Sequence, residues 1–122
     1  RLPWQVVVVI HANHPGELGQ QQGEALAALR QCDTTLLNQS VLLRGVNDSV
    51  ETLVRLSEAL FTHGVIPYYL HQLDRVAGAA HFEVDSERGL ELVNALRDKL
   101  PGYMVPRFVR EMPGALSKTP LG

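Results

Sequence analysis

Four short apolar runs, separated by three helix-periodic stretches, constrain this chain more than any other feature. The runs are Gln5–His11 ("QVVVVIH"), Thr34–Leu43 ("TTLLNQSVLL"), Val65–Gln72 ("VIPYYLHQ") and the segment "PGYMVPRFVRE" that ends at Glu111. Their β-branched and aromatic residues suit strands. The first run, almost unbroken, predicts a strand buried on both faces. Between the runs, the spacing predicts helices over Gly16–Gln31, Val50–Phe61 and Ser86–Leu100. Pro15 is placed to open the first, and Gly64 sits where the second would stop. Asp48 and Glu51 have the spacing of a capping box. Gly19 and Gly23 weaken the first helix, at about 1 kcal/mol each against alanine. Strict alternation of strand and helix predicts an α/β domain with a parallel sheet of about four strands.

Composition narrows the function classes. At 122 residues, 45% hydrophobic and 20% charged, the chain is an ordinary globular domain. A net charge of −2 gives no electrostatic footprint for nucleic acid. The run "VVVVI" is far too short to cross a bilayer, and no signal peptide opens the chain, so a cytoplasmic setting is expected. One cysteine, Cys32, excludes an intrachain disulfide and any cysteine-only metal cluster, so no metal ligands are expected in this chain. Serine-elbow and phosphate-loop motifs are missing as well.

Ligands of parallel α/β folds bind where strands exit, because loops and helix starts converge there. His11 ends the first run, Asn38 and Gln39 lie near the end of the second, and His71, Gln72 and Asp74 end the third. Glu111 ends the fourth, and Lys118 falls in the loop after it. Each has a plainer reading. His11, His14 and Glu17 have spacing that could suggest a metal site, but helix capping accounts for it better. Asn38 and Gln39 could bond loop backbone, Asp74 with Arg75 could be a surface ion pair, and His81 reads as a buried, hydrogen-bonded histidine. A lysine near carboxylates at one rim best serves chemistry that proceeds through a lysine Schiff base.

The segments "HANHPGE", "LLNQSVLLRGVND", "PYYLHQLDRVAGAAHF" and "PGYMVPRFVREMPGALSKTPL" resemble, in order, successive motifs of the lysine 2,3-aminomutase family. "GVIPYYLHQLD" and "SKTPL" are most similar to the branch that makes (R)-β-lysine for translation elongation factor P. The resemblance implies a radical S-adenosylmethionine enzyme that uses pyridoxal 5′-phosphate (PLP) and a 4Fe-4S cluster. It implies that Lys118 forms the Schiff base with PLP and that Asp74 and Glu111 grip the ε-ammonium of substrate lysine. Glu111 stands where the family often has aspartate. His11 and Gln39 resemble residues lining the S-adenosylmethionine pocket, and His71 falls where relatives can carry a tyrosine near PLP. The family's C-x3-C-x2-C cluster motif does not occur here. The expectation is therefore the C-terminal part of a partial (β/α) barrel, residues 1–122 as one domain, inactive in isolation. Apolar surface left by absent strands implies self-association, so a homo-oligomer is expected. Two other readings stay open: a non-catalytic PLP- or partner-binding module, and a self-associating structural half-barrel.

Overall fold

The computed structural model describes residues 6–73, 80–111 and 118–120, with Ala80, Glu111 and 118–120 described by backbone. Among these, one five-stranded sheet runs in the order β1-β2-β3-β4-β5, with β1 Val6–Ile10, β2 Thr34–Leu42, β3 Val65–Gln72, β4 Arg107–Glu111 and β5 Lys118–Pro120. β1 to β4 are parallel, and α1 (Gln20–Gln31), α2 (Val50–Thr62) and α3 (Ser86–Lys99) provide the crossovers. The predicted α/β alternation is therefore present. β5 adds a short antiparallel partner for β4, pairing Glu111 with Lys118, so Lys118 opens a strand rather than lying in a loop.

Sequential strand order with right-handed crossovers, the hand parallel units take, lays all the helices on one face. Burial agrees. Leu42, Leu70 and Phe108 from the sheet pack with Leu53, Leu92, Val93 and Leu96 from α2 and α3. Leu36 and Val65 pack with Leu26 of α1 and with Leu56 and Leu60 of α2. The opposite face is open: Val7 is 53% exposed, Val9 41% and Ile66 41%. This corrects the expectation that β1 is buried on both faces. It alternates between half-buried and exposed positions, because helices cover one side only.

Helix boundaries follow local chemistry. The predicted Gly16–Gln31 helix splits into a 3₁₀ turn, Pro15–Glu17, and α1, whose N-cap is Gly19. α2 is capped by Ser49, whose Oγ accepts from the Thr52 amide at 3.2 Å. Asp48, the expected cap, instead accepts from the Gly45 amide at 3.0 Å and closes the turn before the helix. After α2, Gly64 adopts φ 76°, the left-handed conformation that glycine takes without strain. The stretch predicted to begin the fourth strand, Gly102–Met104, forms a 3₁₀ turn, and β4 starts at Arg107.

At Gly89 the backbone of α3 lies against the Phe108 ring, and a Cβ there would run into that ring. Both residues are buried, so neither can move aside. Gly89→Ala should destabilise the domain by about 1–3 kcal/mol, the usual cost of overpacking a core. Urea denaturation should show this as a lower midpoint. Phe108→Leu should recover part of the loss in the Gly89→Ala background, and purely additive effects would rule out the contact as the cause.

Candidate active site

The site is built from strand exits tied together by asparagine side chains. Asn38, 1% exposed, points to the helix side of β2 and pairs with the backbone of Ala12 on both edges. Its Oδ1 accepts from the Ala12 amide at 2.9 Å, and its Nδ2 donates to the Ala12 carbonyl at 3.1 Å. This extends the β1–β2 ladder past Ile10, the last residue of β1 in the backbone pairing. Asn13 Oδ1 then accepts from the Val41 amide at 2.9 Å. Asn47, 1% exposed, donates through Nδ2 to the carbonyls of Asn13 (2.8 Å) and Val41 (2.9 Å). Its Oδ1 accepts from the Leu43 amide at 2.8 Å. Buried backbone groups at the two strand exits are thereby satisfied without water.

His11 follows Ile10, the partner of Asn38, so it stands level with Gln39. Its ring is exposed, whereas Gln39 is half-buried. Gln39 Oε1 accepts from His71 Nε2 at 3.2 Å. That contact makes Nε2 the protonated ring nitrogen and turns the Gln39 amide nitrogen away from His71. The structure thus brings Gln39 and His71 together, and the backbone of His11 continues the neighbouring strand at the same end of the sheet. Backbone register adds Glu111 and Lys118 to the same end: Val109 pairs with His71, and Glu111 lies two residues further on, opposite Lys118. Two residues of strand rise about 6.6 Å, so this pair stands above the His71 level. Asp74 lies outside the described residues.

The remaining candidates resolve into structural roles. His14 is the N-cap of the Pro15–Glu17 turn, its Nδ1 accepting from the Gly16 amide at 2.9 Å. Glu17 accepts from the His14 amide at 2.8 Å, and also from Asn13, so the His/Glu spacing encodes a cap. His81 is exposed and stacks on Phe82 at 4.1 Å, contrary to the buried histidine expected. The segment around it is held from outside, because Arg44 donates through Nε to the His81 carbonyl at 2.9 Å. Gln72 faces α3 and donates to Ser86 Oγ at 2.8 Å.

Two tyrosines form a layer that sequence reading missed. The β2–β3 register shifts between Asn38, paired with Pro67, and Gln39, paired with Tyr69, leaving Tyr68 as the extra residue of a bulge. A bulge breaks the alternation of a strand, so consecutive side chains can share a face. The Tyr68 and Tyr69 rings are 4.3 Å apart, and Tyr69 meets His71 edge-on at 5.7 Å. Proline inside the predicted strand was the available signal, since proline in a sheet favours bulges.

The residues present fit some of the groups that the sequence resemblance implies. An imidazole and a carboxamide side by side on an open face suit the hydrogen-bonding edges of S-adenosylmethionine. A lysine at the same end of the sheet suits a carbonyl cofactor such as PLP. An iron–sulfur cluster does not fit: the sole cysteine, Cys32, follows α1 at the opposite end of the strands. Among the described residues no group of three His, Cys, Asp or Glu could hold a metal, and no helix is long and apolar enough to cross a membrane.

The α/β fold has a likeness among solved structures. The crystal structure of a radical SAM methyltransferase from Sphaerobacter thermophilus superposes with a TM-score of 0.63 at 21% identity, over 91% of this chain and 36% of that one. No protein-family model matches the chain. Individual relatives do. L-lysine 2,3-aminomutase of Escherichia coli (strain K12) is 50% identical over 96% of this chain, and that of Clostridium subterminale is 41% identical over 91%. Over nearly all of its length the chain is therefore similar to L-lysine 2,3-aminomutases. It spans about a third of the length of these relatives, 34% and 27% respectively.

The pKa of Tyr68 is raised above the ordinary tyrosine value, first by a side-chain hydrogen bond with Tyr69, then by Tyr69 charge and reduced hydration, while Arg107 opposes the shift. Tyr69→Phe removes the hydrogen bond that favours the neutral form, so Tyr68 should ionise at lower pH. Carbon-13 NMR of the tyrosine ring carbons through an alkaline titration measures this directly. An unchanged Tyr68 midpoint would show that Tyr69 is not the cause.

Proposed function

We propose that this chain is the C-terminal part of the catalytic barrel of a lysine 2,3-aminomutase, an isomerase that converts lysine to β-lysine. The observation that carries the reading is the 50% identity to the Escherichia coli L-lysine 2,3-aminomutase, sustained over 96% of the chain. In this reading the β-lysine serves the modification of translation elongation factor P, in keeping with the similarity of "GVIPYYLHQLD" and "SKTPL" to that branch. The protein acts in the cytoplasm as a homo-oligomer, and the chain is inactive without the part that supplies the cluster cysteines.

The residue roles follow from chemistry at the rim. Lys118 holds PLP through its amine, which must be neutral to do so; nearby cationic charge and partial loss of water favour that form. Asp74 and Glu111 receive the ε-ammonium of lysine. Charge-assisted hydrogen bonds of this kind are about twice as strong as neutral ones and select a cationic side chain. Glu111 is a methylene longer than aspartate, so it reaches the ammonium from a backbone position set slightly further back. His11 and Gln39 contact S-adenosylmethionine, and His71 orients the Gln39 amide. When bound, S-adenosylmethionine supplies a 5′-deoxyadenosyl radical and PLP supplies the π-system that lowers the barrier to amino migration. No step through the iron–sulfur cluster is assigned to residues of this chain.

Borohydride reduction of the full-length protein with PLP bound, followed by peptide mapping, should place the phosphopyridoxyl group on Lys118. Lys118→Ala should remove both the adduct and the conversion of lysine to β-lysine. Glu111→Gln should retain the adduct while raising KM for lysine about tenfold or more, as expected for losing one charged partner. Label on Lys99 instead, or an alanine variant that keeps adduct and activity, would overturn the assignment.

A further inference from the structure

The described residues hold one polar cluster that the roles above leave unused: Asn13, Asn38 and Asn47. Asn38 and Asn47 are each 1% exposed, yet neither approaches the open face where a ligand would sit. Between them the three side chains make six hydrogen bonds, all to backbone groups at the exits of β1 and β2. Burying three carboxamides costs free energy unless every strong group is paired, and hydrophobic residues would stabilise a strand edge as well. What carboxamides add is a fixed geometry. Each carries a donor and an acceptor, so one side chain can bridge both edges of a peptide as a neighbouring strand would.

Their placement brackets the rim. Asn38 precedes Gln39 and bonds both polar groups of Ala12, which follows His11. Asn13 ties the next residue of the β1 exit to Val41, two beyond Gln39. Asn47 then fastens Asn13 and Val41 together from the turn before α2. We propose that Asn13, Asn38 and Asn47 are positioning residues that fix the backbone following His11 relative to the strand that carries Gln39, and so set the affinity of the rim for S-adenosylmethionine. None of the three touches the ligand. The proposal rests on the reading that His11 and Gln39 face S-adenosylmethionine.

Asn13 offers the cleanest test, because it is half-buried and its side chain serves the network through its Oδ1 acceptor. Asn13→Asp retains that oxygen, whereas Asn13→Ala deletes it. Titration calorimetry on the full-length protein, with S-adenosylmethionine as probe, should show Asn13→Ala binding about tenfold more weakly, the scale of one buried hydrogen bond. Asn13→Asp should restore affinity to within about threefold of wild type on the same scale. Asn38→Asp, which turns an Nδ2 donor into an oxygen facing the Ala12 carbonyl, should weaken binding at least as much as Asn13→Ala. A dissociation constant per folded molecule, with the folded fraction taken from circular dichroism, does not respond to stability alone. Hydrogen exchange at the Val41 amide should rise in Asn13→Ala and return in Asn13→Asp.

His11→Ala and Gln39→Ala separate the two ideas. If they weaken binding while Asn13→Ala and Asn38→Asp do not, the asparagines are structural and the proposal fails. If all four variants bind as wild type does, the reading of the rim fails and the proposal falls with it.

Discussion

Everything in this domain depends on covering one face of a parallel sheet and leaving the other bare. Parallel strands cannot be joined by tight turns, so each must be followed by a crossover, and crossovers of one hand carry every helix to the same side. The apolar contacts then accumulate in two clusters beneath that side, one under α1 and α2, the other under α2 and α3. The bare face keeps its alternate side chains in the open, and those are the ones available to meet a ligand. Site and core are therefore separated by nothing more than strand parity.

Most of this architecture was legible because it rests on periodicity. Val65–Gln72 and Ser86–Lys99 were read within a residue of their observed limits, since strong strand and helix patterns mark them. The misplaced features are those in which one local bond outcompetes another. Ser49 takes the cap that Asp48 could have filled, because Asp48 is engaged by the Gly45 amide. Gly19 stops the first helical turn from joining α1. The short strand at Lys118–Pro120 has no periodicity to betray it, and only its pairing with β4 defines it.

The candidate site was legible in a different sense. His11, Gln39, His71, Glu111 and Lys118 could be put at one end of the sheet from topology alone, and the register places them there. What sequence could not supply was the bonding that holds them. Nothing in "NQS" or "GVND" distinguishes an asparagine that bridges Ala12, or one that links Asn13 to Val41, from one exposed in a loop. The His71–Gln39 contact was hidden for another reason, since it depends on a register shift that no residue count anticipates.

That shift has a consequence for how the strand tolerates change in length. Before Tyr68 the odd-numbered residues of β3, Val65 and Pro67, are buried on the helix side; after it the odd-numbered Tyr69 and His71 look the other way. The extra residue acts as a phase inverter. Paired regularly through its whole length, with Tyr68 given a partner of its own, β3 would turn either its hydrophobic half or its polar half inside out, so the sequence requires the bulge. Removing Tyr68 would instead let the Asn38–Pro67 and Gln39–Tyr69 pairs follow in unbroken register, with Leu70 still inward and His71 still outward. The strand therefore tolerates the loss of one residue at this point, and what the loss would take from the open face is the Tyr68 ring beside Tyr69.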